Sequence, residues 1–353
     1  MSSLIVEVCL IEEIKNHPNA DRLEIARVKN WWCVVQKGQY TVNQRVVYLP
    51  PDSIISDALA NRWGIAKYCQ PVADGFRIRA TRFRTVPSFG CLQDIEDPSW
   101  IVGQDLTAHY GIRKYEPPPK IYGGDTEHSH PAFHNYTDIE NLGNYPHVLQ
   151  EGEDVVVEEK IHGTNFKSGR IFEDGEWVSM AGSHTTRKKP VDTEQRASMY
   201  WYPLNQCEGI TNLLQEVCNK THNVVLFGEI FGRKIQDMQY GQDGLAFRAF
   251  DVTVDGRYLD NQERMELFQK HGVPTCPPLY HGPFSLQKMN ELVDGPTLVC
   301  DPSQIKEQFK NREGIVIRPS KERFDPILGG RVILKYISVD YHDRKNKNRT
   351  EDH

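Results

Sequence analysis

The sequence lacks an uninterrupted apolar run of the roughly 18 residues that a membrane-spanning helix requires, so no span is expected. Met1-Ser2-Ser3-Leu4 and the residues after it carry no basic region ahead of an apolar stretch. No secretory signal is expected, and the chain reads as intracellular, with cytoplasm and nucleus both open. Paired cysteines are missing too. Cys9, Cys33, Cys69, Cys91, Cys207, Cys218, Cys276 and Cys300 are scattered without a CxxC pair, which argues against a zinc site and against a small disulfide scaffold. Reduced intracellular thiols fit that pattern. Positive charge is also short, the formal net charge being −6. An acidic balance speaks against a nucleic-acid partner at first sight, but binding depends on local patches.

Such patches are present. Arg77, Arg79, Arg82 and Arg84 lie close together, Arg187-Lys188-Lys189 are consecutive, and Arg344, Lys345, Lys347 and Arg349 sit near the C-terminus. Any one of these is more often a solvated face than a binding site. With 353 residues, 39% hydrophobic and 25% charged, the chain is an ordinary globular one, long enough for two domains.

Residues 1–115 read as short strands between turns. Ile5 to Ile11, Glu24 to Val28, Cys33 to Val35 and Val46 to Leu49 are rich in β-formers. Phe76 to Thr81 alternates with a period of two, which predicts Phe76, Ile78 and Ala80 inside and the arginines outside. Five or six strands in this length suggest a small barrel. Pro117-Pro118-Pro119 ends the module, because consecutive prolines stop both helix and ladder. Residues 116–135 read as a linker, 136–345 as a second domain in which strands alternate with helices over Thr193 to Asn219 and Asn261 to His271, and 346–353 as a basic polar tail.

Chemistry concentrates in the second domain. In Val155-Val156-Val157-Glu158-Glu159-Lys160-Ile161-His162-Gly163-Thr164-Asn165-Phe166 a β-branched run delivers Lys160 at a strand end, with Gly163 for a tight turn. A lysine so placed acts as a nucleophile if cations or desolvation lower its pKa. Taken singly it would be an exposed lysine after an edge strand. Glu229 lies inside the apolar run Val225 to Gly232, Phe250-Asp251 follows Phe247, Glu313 opens the run Gly314 to Arg318, and Lys335 supplies a late cation. Carboxylates opening apolar strands are unfavourable unless paired or bound to metal. Together they suit a nucleotide, its metal and its phosphates.

The order Lys160–His162–Gly163–Asn165, Ser183–Arg187, Glu229, Phe250–Asp251, Glu313–Gly314, Lys335 resembles the covalent nucleotidyltransferase superfamily of ligases and mRNA capping enzymes. Glu-Lys-Ile-His-Gly-Thr-Asn-Phe looks like the branch of phage T4 RNA ligase 2 and the kinetoplastid editing ligases. Asn16-His17-Pro18-Asn19-Ala20-Asp21-Arg22-Leu23-Glu24 is similar to the opening of tRNA-binding-type OB modules. Gly111 to Pro118 and Tyr136 to Asn141 look like the Deinococcus-type RNA ligases, which place an OB domain before the catalytic one.

The resemblance implies an N-terminal OB-fold β-barrel and a C-terminal α+β nucleotidyltransferase domain of antiparallel sheets flanked by helices. It implies an ATP-dependent RNA ligase: Lys160 takes AMP from ATP, passes it to a 5′-phosphate, and a 3′-hydroxyl displaces it. The substrate implied is RNA, or a nicked duplex with an RNA 3′-hydroxyl strand, and the protein is expected to be a monomer. Carried over, Glu159 stands at the adenine edge, Phe250 stacks on the ring, Arg187 and Glu229 hold ribose, and Lys335 neutralises the α-phosphate. Glu229 and Glu313 stand at the Mg²⁺ or Mn²⁺, while His162 and Asn165 contact substrate. Arg77, Arg79, Arg82 and Arg84 are the nucleic-acid-binding candidates of the first domain. Two departures stand out: Lys335 lacks a second lysine nearby, with Ile333 and Ile337 on either side, and His162 stands where DNA ligases and capping enzymes carry aspartate. The rival readings are a DNA ligase or GTP-using capping enzyme, and a non-catalytic RNA-binding protein.

Overall fold

The computed structural model describes residues 4–84, 86–115, 125–301, 303, 305–339 and 341. The chain divides into two compact units, one of residues 1–119, 140–146 and 342–353, the other of residues 120–139 and 147–341.

Alternating valines build the first unit. Glu7–Leu10 pairs antiparallel with Arg45–Leu49, which also pairs with Cys91–Asp94. Leu23–Val28 pairs with Glu13–Asn16 and Trp31–Gln36. One face buries Val6, Val8, Val47 and Leu49 with Ile55, and the other buries Ile11, Ala26, Val28, Val46 and Tyr48, as a period of two requires. The strands form sheets of two to four members, not one closed ladder.

The strand expected over Phe76 to Thr81 is broken. Gly75–Arg77 and Ala80–Phe83 belong to different sheets, because Ile78 between them pairs its N–H and carbonyl with Ser53 and Asp52. The outward-facing arginine row is therefore corrected. Arg77 turns in, its Nε 2.8 Å from Asp52 Oδ1 and its guanidinium 3.8 Å from the Tyr115 ring centroid. Arg84, at a left-handed φ of 55°, donates to the Asn19 carbonyl.

The second unit is built on two antiparallel sheets. One runs in the order Thr126–Glu127, Arg187–Lys188, Glu176–Ser183, Thr164–Glu173, Val224–Gly232, Leu245–Val254, Arg257–Tyr258. In the other, Leu334–Ile337, Gly314–Pro319, Asp154–Glu159 and Pro278–Pro283 follow one another. Helices Glu208–Cys218 and Asn261–His271 cover the first sheet, where Ile210, Leu213 and Phe268 meet Leu226, Ile230 and Val252. The second helix begins and ends where expected: Asp260 and Glu263 make a capping box, and Gly272 at φ 64° stops it. The long helix expected over Thr193 to Asn219 is shorter than that. Asp192 Oδ1 accepts from the backbone of Glu194 and Arg196, which folds that stretch into a turn, and the chain breaks again at Cys207. Leu286–Val293, capped by Ser285, is a helix the periodicity did not predict. Among the described residues no helix is long and apolar enough to cross a membrane. The basic residues Arg344, Lys345, Lys347 and Arg349, and Pro117 to Pro119, lie outside the described residues.

Candidate active site

Lys160 follows the strand Asp154–Glu159, whose valines are buried on both sides between Pro278–Pro283 and Gly314–Pro319. Its backbone N–H continues that ladder, donating to the Gly314 carbonyl at 3.0 Å. The chain then crosses to the first sheet through Gly163. No left-handed turn is needed there. The glycine is required by close approach, since a Cβ would sit 2.2 Å from the Ile230 carbonyl oxygen and 2.9 Å from Glu229 Cγ. Gly314 is fixed in the same way, a Cβ there falling 2.2 Å from the Tyr336 carbonyl oxygen. Both glycines thus let a carboxylate-bearing segment close on the lysine.

Both sheets line one cavity of about 90 Å³, with Glu159, Lys160, Asn165, Glu229 and Phe250 in its wall beside Tyr136, Val316 and Arg318. Asn165 lies opposite Glu229 in the strand register, so the two side chains share a face. Glu313 comes from the edge, its Oε1 2.7 Å from Lys160 Nζ. Lys335 pairs in register with Val316, itself a lining residue. Of the sequence candidates, Glu159, Lys160, Asn165, Glu229 and Phe250 line one cavity, Glu313 stands beside it through Lys160, and Lys335 lies next in register to Val316 of its wall.

The electrostatics set the two glutamates apart. Burial pushes Glu229 up to about 8, against the pull of Lys160. Glu313 is also penalised by burial, but Lys160 and His162 overcome it and hold the carboxyl at about 2. For Lys160, burial acts to lower the pKa, yet Glu313 and Glu229 outweigh it and hold the ammonium above its ordinary value. This corrects the expectation of a lowered value. Here the lysine is a paired cation, 25% exposed.

His162 is held from four sides. Its backbone N–H donates to Tyr240 Oη at 2.8 Å, its Nε2 lies 2.8 Å from Asp237 Oδ1, and its Nδ1 faces Glu313 Oε2 at 3.2 Å and Tyr341 Oη at 3.1 Å. It orients Glu313 from behind. Glu159 also differs from expectation in part. It lines the cavity, but Thr297 Oγ1 and the Leu298 N–H donate to its two oxygens at 2.5 and 2.6 Å. The carboxylate anchors the 297–298 segment.

Arg187 does not fit its expected place. It is absent from the cavity wall, and its guanidinium pairs with Glu127 at 2.9 Å and Glu173 at 2.8 Å. Its neighbour Lys188 is buried against Asp125 and Thr126, so the run Arg187-Lys188-Lys189 is no open basic patch.

A buried ion network reaches the cavity wall through Glu158 and Arg318. Arg318 bridges Glu158 at 2.6 Å and Asp251 at 3.0 Å, and Arg264 reaches Glu158 at 3.0 Å. Tyr136 donates to Asp251 at 2.8 Å, and Arg264 Nη1 donates to the Phe250 carbonyl at 2.9 Å. The signal was there: Glu158 and Arg318 are charges inside apolar strands, which demand partners.

Among the described residues no three His, Cys, Asp or Glu side chains form a ready-made metal centre. A cation still suits the cavity. Asn165 Oδ1 is buried without a hydrogen-bond partner among the described residues, and Glu229 is a half-buried carboxyl, pushed up to about 8, that positive charge would ionise. Two carboxylates plus phosphate oxygens and water match the habit of Mg²⁺.

Comparison with known proteins agrees with this fold. An OB-fold domain matches residues 5–95. Naegleria gruberi RNA ligase with pyrophosphate superposes with a TM-score of 0.73 at 25% identity, covering 98% of this chain and all of that one. A variant of the same ligase with ATP and Mn gives 0.75 at 24% identity, covering 97% and 99% of the two chains. A further variant with AMP and Mn gives 0.73 at 24%, covering 96% and 98%. No curated protein sequence matches. The RNA ligase family itself matches residues 153–337, from just before the Lys160 strand to the strand that carries Lys335. That match takes in more than half of the sequence, and the chain belongs to the RNA ligase family.

Proposed function

We propose that this chain is an ATP-dependent RNA ligase that seals 3′-hydroxyl and 5′-phosphate ends, with nicks in duplexes bearing an RNA 3′-hydroxyl strand as its substrate. The observation that carries the reading is Lys160 Nζ at 2.7 Å from Glu313 in a cavity shared with Glu229, Asn165 and Phe250. The deprotonated amine attacks the α-phosphorus of ATP; the P–N bond forms, the bond to the β-phosphate oxygen breaks, and pyrophosphate leaves. AMP then passes to the 5′-phosphate, freeing Lys160, and the 3′-hydroxyl displaces AMP to make the phosphodiester. Phe250, Asn165 and Lys335 hold the nucleotide, and Glu229 and Glu313 hold Mg²⁺ or Mn²⁺. When bound, the cation offsets phosphate charge and weakens the grip of both carboxylates on the Lys160 proton. Residues 1–115 serve as an OB module ahead of a catalytic domain over 136–345, a Deinococcus-type order, with a motif around Lys160 like that of phage T4 RNA ligase 2. The protein acts as a monomer.

The test is incubation with α-labelled ATP or GTP and magnesium. ATP label on the wild type, and none on Lys160→Ala or Lys160→Arg, is the expected outcome; arginine keeps the charge but its pKa above about 12 leaves no free lone pair. GTP label would point to a capping enzyme, and no label to a binding protein. Label retained by either variant would remove Lys160 from the reaction.

A further inference from the structure

The first unit contains a cavity of about 220 Å³ that the catalytic reading does not use. Its wall includes Gln36, Trp63, Tyr68, Arg79, Phe83 and Gln93. In a chain with 48 acidic residues, none of the lining residues is Asp or Glu, and Arg79 is the one charged side chain among them. Tyr68 is 52% exposed, and its ring packs edge-on against Phe83 at 5.6 Å between centroids. The Lys67 ammonium sits 4.9 Å from the same ring. The Phe83 strand is fixed to the unit by His17, whose Nε2 lies 3.1 Å from the Phe83 carbonyl. The Gln36 side-chain amide makes no hydrogen bond among the described residues.

These features have one chemistry in common. A half-exposed aromatic ring offers a flat apolar face, glutamine amides offer a donor and an acceptor together, and the absence of carboxylates admits a polyanion. Arg77 and Arg84, which the sequence suggested as phosphate contacts, are already committed to Asp52 and Asn19. We propose that this slot takes one unpaired base of the RNA, stacked on Tyr68 and met at its edge by Gln36 and Gln93, with Lys67 and Arg79 beside the flanking phosphates. Stacking tolerates any base, so the slot contributes hold and placement more than sequence choice. The proposal rests on the RNA-joining reading.

The test uses the full chain and fluorescence anisotropy with an oligouridylate of about a dozen nucleotides, within the span of one OB module. A second probe is RNA of the same length and charge without bases. Tyr68→Ala is expected to weaken oligouridylate binding about tenfold, the size of one lost base–aromatic stack. Tyr68→Trp keeps the affinity, Gln36→Ala loses about threefold, and the abasic probe binds wild type and Tyr68→Ala alike. Crosslinking of 4-thiouridine RNA to the segment holding Tyr68 supports the slot without any variant. Wild-type affinity in Tyr68→Ala at an unchanged melting temperature would overturn the proposal, as would an equal loss on the abasic probe. Capture of a protein in place of RNA would overturn it too. Labelling of Lys160 by ATP on the same preparations separates the two ideas: it stays constant if only the slot is wrong, and is absent from the wild type if the ligase reading is wrong.

Discussion

The interiors of the two units differ in how they treat charge. Among the described residues of the first unit the buried polar side chains are His17, Ser53, Ser88 and a single carboxyl, Glu140, and the basic residues pair at or near the surface. In the second unit Glu158, Glu159, Lys167, Lys188, Asp251, Arg264, Glu313 and Arg318 are all buried. A unit proposed to hold an RNA strand needs rings, amides and exposed cations, not buried charges. A unit that moves a phosphoryl group must fix its charges before the substrate arrives, because positioning and neutralisation supply most of the catalysis. Such charges survive burial only when paired or hydrogen-bonded: Glu158, Asp251 and Glu313 each face a cation, and Glu159 accepts from Thr297 and the Leu298 N–H.

Removing one partner is the strongest way to sharpen that contrast. Arg318→Ala leaves Glu158 and Asp251 with fewer cations in a dry interior and should lower the unfolding free energy by about 3–5 kcal/mol. Arg77→Ala breaks a pair whose aspartate is 43% exposed, and should lower it by about 1 kcal/mol or less. Denaturant titration of both variants makes the comparison. If the two losses are equal, the buried network carries no special weight.

The next effect concerns activity. Glu313→Gln removes the charge that both Lys160 and His162 face, and Glu229→Gln removes a carboxyl from the same cavity. Each should slow adenylation by about 10²-fold or more with the fold intact, in line with several kcal/mol of lost charge stabilisation. A sharp fall in melting temperature with activity preserved per folded molecule would make them structural.

Glu229 gives a pH test with a definite sign. Its folded pKa of about 8 lies above the unfolded value near 4.5, so its contribution to stability is complete below pH 4.5 and is lost as pH rises through 8. Without nucleotide or metal, Glu229→Gln should match the wild type at pH 5 and gain relative to it at pH 8.5. Thermal melts at the two pH values decide; parallel behaviour would show that Glu229 is ionised throughout.

Sequence patterns made much of this legible, for reasons that can be named. Lys160 was found because a valine run announces a buried strand and the lysine ends it. Asn261–His271 was found because Asp260, Glu263 and Gly272 mark its ends chemically. What stayed hidden were long-range pairings. Nothing near Arg187 in sequence announces Glu127 or Glu173, nothing near His162 announces Asp237, and the break between Gly75–Arg77 and Ala80–Phe83 depends on Asp52 and Ser53. Tyr136, which local spacing gives no role, lines the cavity and donates to Asp251. Local spacing finds strands and caps; which charges meet is decided by sheet order.

The smallest expected effect belongs to Arg187, and it tests the contrast from the other direction. Its Nη1 lies 2.8 Å from both oxygens of Glu173, and its Nε 2.9 Å from Glu127. The three groups are between 17% and 31% exposed, so water screens them and the pairing contributes modestly. Arg187→Ala should cost about 1 kcal/mol or less in stability and leave the rate of ATP labelling of Lys160 within about twofold, because the guanidinium does not line the cavity. Measuring labelling and melting temperature on one preparation keeps the two contributions apart. A large fall in labelling at an unchanged melting temperature would mean that Arg187 leaves its two glutamates for the nucleotide. That would return it to the ribose, where the order of the motifs had put it, and would make the pairing with Glu127 and Glu173 a resting state of the free enzyme.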